Sequence, residues 1–124
     1  MEGALKTAVM QAGWASRDFL AYAASSLCEG VTSIDIAVTM LGKVKEMTKA
    51  LSLAMTEGDV LPEPVSSLLR DCLIDMEALS ELGDLLLLYE STPVNALHMI
   101  EACRYTARRV VGELAVVDHM LRDL

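Results

Sequence analysis

A chain of 124 residues has the length of one domain, and a hydrophobic share of 53% is enough for a core and excludes a disordered chain. The formal net charge of −8 argues against nucleic acid as a partner, because phosphate binding needs clustered Lys and Arg. Only 4% of the residues are aromatic, a bias that favours helix over sheet. We therefore expect a single helical domain over residues 1–124.

The sequence also predicts where in the cell the protein is located. The chain does not open on a basic segment followed by an apolar stretch, and no apolar run approaches the roughly 20 residues that a bilayer-spanning helix needs. The cysteines are three in number and none lies in a CxxC pair, so we interpret Cys28, Cys72 and Cys103 as reduced thiols. These observations predict a cytoplasmic protein without a membrane partner.

The first two predicted helices cover residues 3–28 and 33–57, where apolar residues recur at helical spacing. Met10 and Trp14 fall on the outer side of the first helix, so the only tryptophan points away from the core. We interpret Gly42, in the middle of the second helix, as the site of a close helix crossing. The predicted core faces are Leu5, Ala8, Val9, Ala12, Ala15, Phe19, Tyr22, Ala23 and Leu27 in the first helix and Ala37, Met40, Leu41, Val44, Met47, Leu51, Ala54 and Met55 in the second.

Two further helices are predicted over residues 64–90 and 93–123, each with a proline in its first turn, where the missing N–H is no loss. The third helix carries two apolar stripes instead of one. The stripe assigned to the core is Val65, Leu68, Leu69, Cys72, Met76, Leu79, Leu86 and Leu87, and the second stripe is Ile74, Ala78, Leu82, Leu85 and Tyr89. The core face of the fourth helix is Leu97, Ile100, Cys103, Ala107, Val110, Val111, Leu114, Val117 and Leu121.

The connections between these helices are short, about three to seven residues, so sequential helices must be antiparallel neighbours. The expected fold is an all-α, antiparallel up-down-up-down four-helix bundle. Segment 62–90 holds seven acids and one base, which places most of the net charge on the third helix. Its acids are expected to meet cations of the neighbouring helices, namely Lys43, Lys45, Lys49, Arg104, Arg108 and Arg109.

Acidic residues and histidine give no argument for a metal or phosphoryl-transfer site. Asp71 and Asp75 share one side of the third helix, and we interpret them as part of a solvated acidic face. His98 is placed outward on the fourth helix, as the histidine of a phosphotransfer domain would be. The sequence after it is Met-Ile-Glu, whereas such domains have a lysine and small residues there. We interpret His98 as an ordinary surface residue.

Arg104 and Arg108 form the strongest candidate for an anion site, because residues four apart share one side of a helix. Glu101 and Glu113 are expected to pair with these arginines and leave no free site. The sequence contains no glycine-rich phosphate loop and no arrangement of nucleophile and base. We therefore predict no catalytic residue, no cofactor and no metal.

The strongest functional signal is the leucine run from Leu85 to Leu88. Four consecutive helical positions sweep about 300° around the axis, so no single core can receive all four side chains. We expect Leu82, Leu85, Leu88 and Tyr89 to form the centre of an interface with a second copy or another protein, with Trp14 and Met10 as further contacts.

The expected function follows from this surface and from the lack of a catalytic motif. It is a non-catalytic protein–protein interaction module, a small bacterial or phage regulator, adaptor or inhibitor that binds a protein partner or forms a homodimer. The alternative is a small-molecule-binding bundle or small enzyme with a pocket between its helices. Small residues on facing helices would leave the space for it, namely Ala12, Ala15, Gly42 and Gly83.

Overall fold

The computed structural model describes residues 2–29, 34–58, 60–86, 88 and 93–123, with side chains described for 3–25, 34–58, 60–86, 88 and 96–123. It contains four α-helices and, within these residues, no strand. The helices are α1 (Glu2–Glu29), α2 (Ile34–Glu57), α3 (Glu63–Leu86) and α4 (Pro93–Arg122). The all-α fold is confirmed.

Helix α3 differs most from its predicted bounds. It ends at Leu86, whereas the sequence suggested residue 90, and Leu88 beyond it has a 3₁₀ conformation. At the other end, the Pro62 carbonyl accepts hydrogen bonds from the Val65 N–H (3.1 Å) and the Ser66 N–H (3.0 Å). The helix therefore begins at Glu63, and Pro64 lies in the first turn as its missing N–H requires.

The helices pack as a square. Helix α1 contacts α2 and α4, and α3 contacts the same two helices, so α1 and α3 occupy diagonal corners. This is the up-down-up-down bundle that the short connections predict. The largest fully buried side chains come from all four helices and form one core: Val9, Phe19, Leu41, Val44, Leu51, Leu69, Met76, Leu79, Leu86, Ile100, Val110 and Leu114.

The close helix crossing lies at a different glycine from the one expected. Gly42 is exposed, and a Cβ atom at that position would meet nothing within 4 Å. A Cβ atom at Gly83 would instead lie 2.8 Å from the Cβ atom of Leu41. Gly42 therefore has no packing role that the structure shows, and Gly83 brings the backbone of α3 against α2.

Charges on α3 meet cations on both of its neighbours, as predicted. Lys45 Nζ of α2 lies 3.3 Å from Asp84 Oδ2, and Arg109 Nη2 of α4 lies 3.5 Å from Asp75 Oδ2. In each pair the cation is exposed to solvent, and pairs that water screens in this way stabilise a fold by about 0–1 kcal/mol each. They contribute more to the register of the helices than to the stability of the bundle.

Candidate functional site

The outward side of α3 carries apolar side chains that no part of the described chain covers. Ile74 is 64% exposed and Leu85 is 42% exposed. Ala78 is exposed between them, and spacings of four and seven residues place all three on one side of the helix. We call Ile74, Ala78 and Leu85 the α3 outer face. Glu77 and Glu81, also exposed, lie beside it.

The remaining α3 residues of the predicted interface are placed differently. Leu82 is only partly exposed and packs against the core cluster. It lies seven residues after Asp75, on the side of α3 that turns towards α4, and this position explains its burial. Leu88 is 72% exposed beyond the end of the helix. Tyr89 falls outside the described residues.

Met10 and Trp14 are exposed on α1, as the sequence predicts. Both border a groove against α4, which Arg17 of α1 and Arg122 of α4 also line. Because α1 and α3 occupy diagonal corners, the structure does not bring these two residues together with the α3 outer face. The residues proposed from sequence therefore belong to two surfaces. We call Met10 and Trp14 the α1 ridge.

The seam between α3 and α4 contains a carboxyl pair that sequence reasoning assigned to solvent. Asp75 has only 14% of its side chain exposed and lies within hydrogen-bonding reach of the half-buried Glu113, an arrangement that favours a proton on one of the two carboxyl groups. Burial, this hydrogen bond and the negative charge of Asp75 raise the pKa of Glu113 from 4.5 to about 7. Arg109, which lies beside Asp75, lowers that pKa in part.

This pair corrects two expectations. Asp75 is not part of a solvated acidic face, because the rotation of α3 points it into the seam rather than to water. Glu113 faces α3 and pairs with neither Arg104 nor Arg108, whereas the expected pairing of Glu101 with Arg104 is confirmed. Arg104 Nη2 lies 4.0 Å from Glu101 Oε1, and its guanidinium lies 5.5 Å from the centre of the Tyr105 ring. Arg108 is exposed and makes no ion pair with a described side chain.

Cys72, Cys103 and His98 lie where the sequence predicts. Cys72 and Cys103 are free and buried, and burial raises the pKa of each thiol from 9.0 to about 12. Thiols held in this protonated form are poor nucleophiles and poor metal ligands. His98 is exposed on α4. The side chain of Cys28 is outside the described residues.

An open groove of about 620 Å³ lies between α2 and α3, and we call it the α2–α3 groove. Its floor includes Thr48 and Ser80, both buried. The Thr48 hydroxyl donates to the Val44 carbonyl and the Ser80 hydroxyl to the Met76 carbonyl, each within its own helix. Sequence reasoning missed both residues, although Thr48 follows Val44 and Met76 precedes Ser80 at core spacing.

Among the described residues, no group of three or more His, Cys, Asp or Glu side chains has an arrangement that could hold a metal ion. None of the helices, as far as they are described, combines the length and apolar character needed to cross a membrane. The chain matches no protein-family model, no curated protein and no solved structure.

Proposed function

We propose that this protein is a non-catalytic interaction module that binds a partner protein or a second copy of itself, with a homodimer as the simplest assembly. In the cell such a module would serve as a small regulator, adaptor or inhibitor that occupies a partner's surface. The observation that carries the proposal is the α3 outer face, where Ile74 and Leu85 are exposed on the same side of a regular helix, three turns apart.

The physical reason is the cost of leaving this face in water. Burial of apolar surface contributes roughly 25 cal/mol per Å², and complete burial of one Ile or Leu side chain contributes about 1.5–3 kcal/mol. Leu88 adds apolar area beyond the helix end. Exposed Glu77 and Glu81 beside the face would supply the polar rim that protein interfaces have.

The alternative function, a small-molecule-binding bundle or small enzyme, finds its support in the α2–α3 groove. This groove is open to solvent along its length. The hydroxyl groups of Thr48 and Ser80 on its floor are already bonded to carbonyls of their own helices. Ligand sites usually bury most of the ligand and aim several free polar groups at it. The interaction module is therefore better supported.

The test is the double substitution Ile74→Glu with Leu85→Glu, both at exposed positions, so the fold should survive. We expect light scattering to show a lower mass than that of the native chain, or that a partner captured from the native host is lost. Val60→Glu is the matched control, because Val60 is fully exposed in the α2–α3 connection, away from the α3 outer face. Unchanged mass and unchanged partners in the double variant, with helicity retained, would refute the proposal.

A further inference from the structure

The α2–α3 groove exists because small polar residues meet where α2 and α3 pack. Leu41 lies against Gly83, and Lys45 pairs with Asp84. These two contacts define the register of the two antiparallel helices along their axes. At the next turn along the seam, Thr48 comes level with Ser80. Neither side chain fills the space between the helices, and α2 and α3 make the sparsest contact among neighbouring pairs. The seam is therefore left open at its outer edge.

The groove has the length and shape of a site for a helix. It is lined on α2 from Lys45 to Thr56, 12 residues that extend over about 16 Å of helix. The hydroxyl groups of Thr48 and Ser80 on its floor already donate hydrogen bonds within their own helices. A helix bound in the groove would therefore not need polar groups to pair with them. A volume of about 620 Å³ gives room for several large side chains from such a helix.

The two rims of the groove have opposite charge. Lys45 and Lys49 line the α2 side, and the α3 side is lined by acids, namely Glu77, Glu81 and Asp84. Lys45 and Asp84 already pair with each other across the seam. Lys49, Glu77 and Glu81 make no ion pair with a described side chain. An incoming helix that complements these rims would carry basic residues on the flank that meets α3 and acidic residues on the flank that meets α2.

Helix α1 of this chain has that pattern. Its α1 ridge exposes Trp14 and Met10, by 54% and 43%. Arg17 lies on the flank that borders α4 and Asp18 on the flank that borders α2, so the two charges stand on opposite sides of the ridge. Lys6 is exposed 11 residues, or three turns, before Arg17, and shares its flank. None of these three charges pairs with a described side chain.

We propose that the α1 ridge of one copy docks into the α2–α3 groove of a second copy. Trp14 and Met10 enter the groove, the flank with Lys6 and Arg17 faces the acids of α3, and Asp18 faces Lys49. The inference rests on the self-association in the proposed function, but it uses surfaces other than the α3 outer face. Because ridge and groove are different surfaces, the contact is heterologous and copies add head to tail.

Trp14 is the only tryptophan in the chain, so intrinsic fluorescence reports directly on its burial. We expect the emission maximum of the full chain to shift to shorter wavelength as concentration rises. Raising the salt concentration should weaken the shift, because exposed charge pairs are screened. Emission that stays unchanged up to the solubility limit would overturn the inference, while the proposed function would still stand on the α3 outer face.

A mixing experiment distinguishes this contact from any symmetric one. Ser52→Arg fills the groove at an exposed position and keeps Trp14, whereas Trp14→Ala keeps the groove and emits no tryptophan fluorescence. Ser52→Arg alone should show no concentration-dependent shift. Addition of the Trp14→Ala chain should restore the shift, since one copy supplies the ridge and the other the groove. No restoration, with both variants folded, would refute the docking mode.

A charge exchange tests the orientation. Glu81→Lys should weaken association several-fold, and a copy with Arg17→Glu should recover the lost affinity. Glu57→Lys is the control, because Glu57 is exposed at the end of α2 and does not line the groove. Equal effects of Glu81→Lys and Glu57→Lys would contradict the inference. Ile74→Gln with Leu85→Gln, which adds no charge beside the acids of α3, should leave the fluorescence shift intact, which separates this contact from the α3 outer face.

Discussion

Helix α3 meets its two neighbours through seams of opposite character. Towards α4, Asp75 lies against Glu113 across the boundary, and this neighbour together with burial raises the pKa of Glu113 to about 7. Towards α2, Thr48 and Ser80 satisfy themselves on carbonyls of their own helices. A polar group that bonds across a seam couples the two helices. A polar group that bonds within its own helix does not couple that helix to its neighbour.

This difference predicts that the stability of the α3–α4 seam depends on pH, and it explains why the α2–α3 seam is open. The α3–α4 seam gains a hydrogen bond only while a carboxyl group is protonated. In the α2–α3 seam, Leu41 packs on Gly83 and the Lys45–Asp84 pair sets the register, and beyond these contacts the seam leaves the groove. Three substitutions test this contrast, in order of decreasing expected effect.

The largest effect is expected at the tight point of the α2–α3 seam. Gly83→Ala would place a Cβ atom 2.8 Å from the Cβ atom of Leu41, which cannot move aside by a rotamer change. We expect a loss of about 1–3 kcal/mol in the free energy of unfolding, as for other overpacked cores. Urea denaturation followed by circular dichroism measures it.

Gly42→Ala is the matched control for this prediction. Its Cβ atom would meet open space, so the helix propensity of alanine should act alone. We expect it to stabilise the protein by about 0.5–1 kcal/mol. If both glycine substitutions shifted the unfolding midpoint in the same direction, the close approach at Gly83 would not be the tight point of the seam.

The second prediction concerns the α3–α4 seam and its dependence on pH. The pKa of Glu113 is about 7 in the folded protein against an ordinary value of 4.5. Between these values the folded state holds a proton that the unfolded state has released. The stabilisation is therefore complete below pH 4.5 and is lost as the pH rises through about 7.

Glu113→Gln should remove this dependence, because an amide donates a hydrogen bond to Asp75 at every pH. Water reaches part of the pair and screens it, so we expect the variant to be more stable than the native protein by about 1 kcal/mol at pH 8 and nearly equal at pH 4. Denaturation at both pH values measures this difference. Glu81→Gln, at an exposed acid of the same helix, should leave the pH slope unchanged. A slope that survives Glu113→Gln would show that another group carries it.

The sequence predicts the helices well because core burial has the period of the helix. Buried residues of α3 such as Val65, Leu69, Cys72, Met76 and Leu79 all belong to the stripe assigned to the core. Periodicity fails at the end of α3, since the leucine run keeps its apolar character past Leu86, where the helix stops. Apolar residues alone carry no stop signal.

What the sequence does not predict is which neighbour each flank of a helix faces. Asp75 and Glu77 are both acids flanking the outer stripe, yet one turns into the α3–α4 seam and the other lines the α2–α3 groove. Gly42 and Gly83 look alike in the sequence, and only the packing of Leu41 distinguishes them. These outcomes depend on the rotation of each helix within the bundle, which a single amphipathic pattern leaves open by tens of degrees.

The smallest expected effect is at Ser80, and it tests whether the hydroxyl groups of the α2–α3 seam act locally. Ser80→Ala removes a hydrogen bond to the Met76 carbonyl, but that carbonyl also accepts the helical N–H of residue 80. Alanine is the better helix former, which offsets part of the loss. We expect a change within about ±0.5 kcal/mol in the free energy of unfolding, measured by urea denaturation with the native protein in parallel. A loss of 2 kcal/mol or more, on the order of a buried polar group left unpaired, would mean that Ser80 bonds across the seam to α2. The two seams of α3 would then work in the same way, and the open groove would need another cause.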